Sequence, residues 1–145
     1  MKNKIIIKKI WNDDDVIEFE IYLIDENFKF RTTVYTGNFE ISETYKKLIE
    51  FGSLIPNKKC LIKLGGFGEK YANGAISLEL QCNSRGIIHL EIEMETEFYE
   101  FNKRNISDKL LCHKKTNPAL YDKFVKNFKR IEKFELGEEI EFELI

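Results

Sequence analysis

Proton-transfer or metal chemistry in this 145-residue chain would have to start from its two histidines, His89 and His113. His89 is followed by Glu91 within GIIHLEIEM, a stretch that alternates like a strand. On a flat strand, residues i and i+2 stand about 7 Å apart, too far for a hydrogen-bonded acid–base pair. Cys112 and His113 are adjacent, so their side chains diverge on any regular backbone, and they lack the spaced partners of a zinc site. Asp13-Asp14-Asp15 offers three consecutive carboxylates, but the other ligands and the glycine of a calcium loop are missing, and it reads as a turn. Gly65-Gly66-Phe67-Gly68 follows an apolar run, as phosphate-cradling loops do. No Lys-Ser or Lys-Thr comes after it, and a bulged turn is the better account. Serines and threonines lack a nucleophile-elbow context. These residues predict no catalysis, no bound metal and no cofactor. A pocket in which His89 or His113 met a cysteine or carboxylate at hydrogen-bonding or ligand distance would overturn that expectation.

The glutamates form a more distinctive pattern. Glu91, Glu93, Glu95 and Glu97 recur at every second position, and so do Glu139, Glu141 and Glu143. Each set falls on one face of a strand. Like charges along one face repel, so something must offset them. Solvation or pairing with the lysine-rich N-terminus (Lys2, Lys4, Lys8, Lys9) is the structural account. The functional account is an acidic surface for a basic partner, with these seven glutamates as partner-binding residues. If the two strands were neighbours, their rows would merge into one acidic face.

The elements that hold these residues follow from hydrophobic periodicity. Residues 75–82 and 87–98 read as a hairpin, with Ile76, Leu78, Leu80 and Cys82 on one face of the first strand and Ile88, Leu90, Ile92, Met94 and Phe98 on one face of the second. Asn83, Ser84, Arg85 and Gly86 supply the turn. Strands are also expected at 4–11, 16–24, 28–35 and 60–64 and at the C-terminal end, where Ile140, Phe142 and Leu144 face inward. Helical spacing runs from Glu40 to Phe51 through Ile41, Tyr45, Leu48 and Ile49, with Ser42 as a candidate cap and Gly52 as the stop. A second helix spans 118–133, capped by Asn117 with Pro118 at its first position, with Leu120, Phe124, Phe128 and Ile131 following at spacings of four, four and three. The segment 105–116 has no clear period. The fold expected is α+β: one domain over 1–145, a mainly antiparallel sheet of about seven strands, and both helices packed on one face. Phe19, Phe30, Leu78, Leu80, Leu90, Ile92, Phe124 and Phe128 are the expected core.

Charge and composition narrow the function classes. The net charge is −2, but residues 102–133 hold ten Lys or Arg against three acids, while 91–100 and 135–143 hold five Glu each. One basic segment beside acidic rows is a poor footprint for nucleic acid. No apolar run approaches the roughly 20 residues of a membrane span, and the N-terminal lysines leave no signal-peptide core. Three cysteines, Cys60, Cys82 and Cys112, at wide spacing suit free thiols in a reducing cytoplasm.

The order of parts from residue 16 to 98 adds a family resemblance. A hairpin containing FRTTVYTG leads to the amphipathic ISETYKKLIEFG, then to a strand at CLIKLGG, then to AISLELQC and GIIHLEIEM around a tight turn. This order resembles that of small bacterial immunity proteins of the WapI-like type. The related families often carry Trp near the end of the first helix, where this chain has Phe51-Gly52 and its one tryptophan is Trp11. The resemblance implies a cytoplasmic, non-enzymatic protein that binds and neutralises one cognate toxin, and it transfers no site residues. A non-catalytic accessory or regulatory ligand-binding domain is the alternative, and an enzyme the third.

Overall fold

Alternation of apolar and polar residues builds most of this molecule. The computed structural model describes residues 3–145, so Met1 and Lys2 lie outside the described residues. Ten strands and two helices follow in the order β1 (Lys4–Asn12), β2 (Val16–Ile24), β3 (Lys29–Gly37), α1 (Asn38–Phe51), β4 (Lys59–Gly65), β5 (Ala75–Cys82), β6 (Ile88–Glu95), β7 (Tyr99–Phe101), β8 (Arg104–Ile106), β9 (Lys109–Thr116), α2 (Pro118–Phe128) and β10 (Glu139–Glu143). The class is α+β and the pairing antiparallel, as expected, with more strands than seven. The single sheet is corrected to two four-stranded sheets, here called A (β10-β1-β2-β3) and B (β4-β5-β6-β9), with a β7–β8 ribbon beside them.

The inward faces are those the periodicity dictates. Ile17, Phe19, Ile21 and Leu23 on β2 are buried, as are Leu78 and Leu80 on β5 and Leu90 and Ile92 on β6. The 75–95 hairpin turns where Asn83 Oδ1 accepts from the amides of Arg85 at 2.9 Å and Ile87 at 3.0 Å. Gly86 takes a φ of 80° there, a conformation costly for any residue with a Cβ. Of the expected core, Phe30 alone is only partly buried, packed against the rim of the cluster.

The helices do not lie on one face of one sheet. They touch each other and close the core formed between the two sheets. Among the described residues, the buried side chains of both sheets and both helices form one cluster. A void of about 20 Å³ at its centre is lined by Ile5 and Phe142 of sheet A, Ile62 and Leu78 of sheet B, Leu48 of α1 and Phe128 of α2. The Tyr121 hydroxyl donates to the Leu48 carbonyl, tying α2 to α1, and burial pushes its pKa up. Asn117 caps α2 by accepting from the Leu120 amide at 2.9 Å, with Pro118 in the first turn, as the sequence indicates. The helix stops at Phe128, and Ile131–Lys133 continue as a 3-10 turn. α1 starts earlier than expected, with Gly37 as its cap and no side-chain cap bond, so Ser42 has no capping role. Ile49 is exposed and Thr44 takes the buried position instead.

Two seams join the sheets. On one side Thr32 Oγ1 donates to the Glu95 carbonyl at 2.7 Å and the Gly74 amide to the Thr33 carbonyl at 2.8 Å. On the other Thr116 Oγ1 donates to the Glu143 carbonyl at 2.9 Å and the Ile145 amide to the Lys115 carbonyl at 2.7 Å.

Candidate functional site

The outer face of sheet B carries most of the residues that could do chemistry, and the buried side chains of both helices join the core on its other side. Antiparallel register sets them in rows. Leu61, Glu79, Glu91 and His113 lie in line across the four strands, and so do Lys63, Ser77, Glu93 and Leu111. The next row is Lys59, Gln81, His89 and Lys115. The centre of the sheet is therefore acidic, and cations occupy both edge strands.

This register offsets part of the glutamate repulsion. Lys59 Nζ lies 3.3 Å from Glu79, and His113 Nε2 lies 3.2 Å from Glu91 Oε1. Lys4 and Lys8 instead serve β10: Lys4 stands opposite Glu143 and Lys8 opposite Glu139, and Lys4 Nζ donates to Glu141 at 2.8 Å. Glu143 also meets Lys123 of α2 at 3.2 Å.

The seven glutamates do not form one surface. β6 lies in sheet B and β10 in sheet A, so the merging of their rows is corrected. Glu95 is 4 % exposed, because the Gly66–Gly68 loop folds over it. Its carboxylate accepts from the Gly68 amide at 2.9 Å and lies 3.7 Å from Lys109 Nζ. The glycine-rich segment thus donates an amide to the protein's own carboxylate. Its glycines permit close packing: a Cβ on Gly66 would sit 2.4 Å from the Tyr71 ring. Glu97 is exposed but lies beyond the end of β6. Glu93 is exposed and, among the described residues, has no ion-pair partner.

Two grooves run along this face. One, of about 310 Å³, is lined by Glu79, Gln81, His89, Glu91, His113 and Lys115. The other, of about 640 Å³, continues past Glu93 to Phe67, Phe98, Lys109 and Leu111. Phe98 belongs to this outer groove, which corrects its expected place on the inner face of the hairpin.

His113 meets a carboxylate in a groove, the geometry set above as overturning the expectation of no catalysis. The partner comes from the neighbouring strand, not from the same strand, so sequence spacing within β6 gave no sign of it. A carboxylate–imidazole pair is one component of acid–base chemistry. It stands open to water here, with the two side chains 70 % and 44 % exposed. Among the described residues no Ser, Thr or Cys is hydrogen-bonded to either histidine, and no group of three or more His, Cys, Asp or Glu is placed to hold a metal ion. Burial pushes the Cys60 and Cys112 thiols up in pKa, away from the reactive thiolate.

Asp13-Asp14-Asp15 is a turn. Asp13 Oδ1 accepts from the amides of Asp15 at 2.9 Å and Val16 at 2.8 Å, which holds its carboxyl below the usual range. Among the described residues no helix is long and apolar enough to cross a membrane. No family model, no curated protein and no solved structure matches this chain.

Proposed function

We propose that this chain is a non-catalytic, cytoplasmic immunity protein that binds and neutralises a basic toxin domain, using the outer face of sheet B. The observation that carries the reading is the acidic centre of that face. Glu79, Glu91 and Glu93 stand together on the two central strands of sheet B. A four-stranded sheet is a rigid support, so the carboxylates are positioned before any partner arrives. Toxins that act on nucleic acid carry cations for phosphate, and an acidic centre complements them. The lysines on the edge strands fix the orientation of a partner by repelling cations placed off centre. The β10 glutamates have a smaller part, since Lys4, Lys8 and Lys123 stand against them.

The grooves favour one second reading, an accessory domain that binds a small ligand between His89, His113 and the central glutamates. The His113–Glu91 pair is what an enzymatic function would use. The discriminating experiment is a pull-down from the native cell joined to a protection assay. The toxin reading expects recovery of a toxin domain and survival of cells that express this chain when that toxin is present. Recovery of no toxin, with no protection against any toxin encoded beside its gene, would reject it.

A further inference from the structure

We propose that the end of the molecule around the β1–β2 turn is a second docking surface, anchored by Trp11 and shaped for a cationic segment of a partner protein. It belongs to sheet A, on a different face from the groove of sheet B, and it stands whether or not the partner is a toxin.

The first observation is a bulge. Ile5 and Ile7 point into the core, and Lys9 follows them inward, opposite Phe19. Strict alternation would send Trp11 inward as well. The register shifts between Lys9 and Trp11, so Trp11 pairs with Glu18 and faces out. Bulges re-aim side chains in this way and recur beside functional sites. The chain's one tryptophan, a residue that dominates cores and interfaces when buried, is thereby left 44 % exposed.

The second observation is the company it keeps. Tyr35 continues the Trp11–Glu18 row on β3, and its ring meets that of Trp11 edge to face at 6.3 Å between centroids. Phe39, 76 % exposed, follows two residues after Gly37, which pairs with Val16 at the mouth of the same turn. Scattered apolar residues on a surface need no account. Here two contacting rings stand at one hairpin end, with exposed Phe39 two residues beyond the Val16–Gly37 pair that closes it, and aromatic anchors of this kind carry most of the energy of interfaces.

Charge names the occupant. Residues 10–28 and 32–45 contain no Lys or Arg. The β1–β2 turn, within the first of these stretches, carries Asp13, Asp14 and Asp15, and only Asp13 is taken up by the turn itself. Asp14 and Asp15 are exposed and, among the described residues, have no ion-pair partner. Arg31, farther along β3, is held by Glu20 at 2.6 Å. Exposed rings beside unpaired carboxylates suit an arginine, which stacks on an indole face while its fork pairs with a carboxylate. Phosphate-bearing partners would be repelled.

The test uses an octa-arginine peptide as probe and an octa-glutamate peptide as control, at low salt. Trp11 is the sole indole and reports binding through its fluorescence. Amide chemical shifts locate the site. The expected result is a saturable fluorescence change with octa-arginine alone and shifts centred on Trp11, Tyr35 and Phe39. An Asp14→Asn, Asp15→Asn double variant should weaken binding by about three- to tenfold. Trp11→Ala should weaken it, and Trp11→Phe should restore part of the loss, both read by calorimetry. Shifts confined to Glu79, Glu91 and Glu93, affinity unchanged in the Trp11→Ala or double Asn variant, or no saturable binding would each overturn the proposal. The protection assay reads neither the peptide nor Trp11, so either proposal can fail alone.

Discussion

Lys114 of β9 forms an ion pair with Asp25 at the end of β2, linking the two sheets between residues 89 positions apart. Lys114 also lies over the Phe28 ring, 5.8 Å from its centroid, so its charge has two partners at the rim of the core. The ammonium, and then the Asn27 amide donating at 3.1 Å, hold the Asp25 carboxyl below its usual pKa.

That depression sets a pH dependence of stability. An aspartate in the unfolded chain titrates at about 3.9. The folded value lies lower, so the contribution of Asp25 is complete above that unfolded value and is lost as pH falls through the folded one. Asp25→Asn should therefore lower the urea midpoint at neutral pH, and the gap between variant and parent should close as pH falls below about 4. A gap that stayed constant down to the acid transition would mean that the pair contributes nothing through charge.

Gly74 tests the seam between the sheets. A Cβ there would sit 2.1 Å from Thr32 Oγ1 and 2.3 Å from the Glu95 carbonyl, two groups that hydrogen-bond each other. Gly74→Ala must push β3 away from the ends of β5 and β6. The expected loss is about 1–3 kcal/mol in denaturant unfolding, with faster amide exchange around Thr32 and Thr33. Parental stability in this variant would show that the seam yields.

Phe128 tests the core. It is 2 % exposed on α2, lines the central void and stands against Phe124, 5.8 Å between ring centroids. Phe128→Ala should cost roughly 3–5 kcal/mol by equilibrium unfolding. A loss under about 1 kcal/mol would place the ring at a site that collapses freely.

Much of this was legible in the sequence because alternation is a local property. β2 spans Val16–Ile24 and β5 spans Ala75–Cys82, the bounds that apolar parity predicts. Asn117 and Pro118 announce α2 by chemistry confined to one turn. What escaped is non-local. Parity says which way Glu91 and His113 point, but not that β9 lies beside β6 with these two residues in register. The lysine-rich N-terminus is a foreseeable offset for glutamates, but parity does not say that β10 and not β6 lies against β1, and so it left the two rows free to merge. Glu95 misled for another reason: its parity is outward, and a loop from elsewhere in the chain covers it. Trp11 is the reverse case, since one bulged residue inverts the face that its parity implies.

The thiols offer a chemical check on packing. Cys82 is buried, and burial raises the pKa of both Cys60 and Cys112. Thiolates are the reactive form, so labelling by a disulfide reagent at neutral pH should be slow in the folded protein and should speed up in denaturant. Three fast thiols without denaturant would contradict the burial described for these side chains.

The partner surface gives the last prediction. Glu91 and Glu93 stand at the centre of sheet B, and Glu93 has no ion-pair partner among the described residues. Charges that steer an encounter act mainly on the association rate, and their effect falls with salt. With the toxin domain recovered from the native cell, Glu91→Gln and Glu93→Gln together should slow association by about two- to tenfold at low salt and flatten its salt dependence, with dissociation much less affected. The β10 variant, with Glu139 and Glu141 replaced by Gln, should change the rate less, because Lys8 and Lys4 stand against those two carboxylates. Two outcomes separate the possibilities. If the toxin binds and both variants associate at the parental rate, the interface lies off the glutamate rows. If the β10 variant slows association more than the β6 variant, the partner docks on sheet A, and the outer face of sheet B is a solvated one.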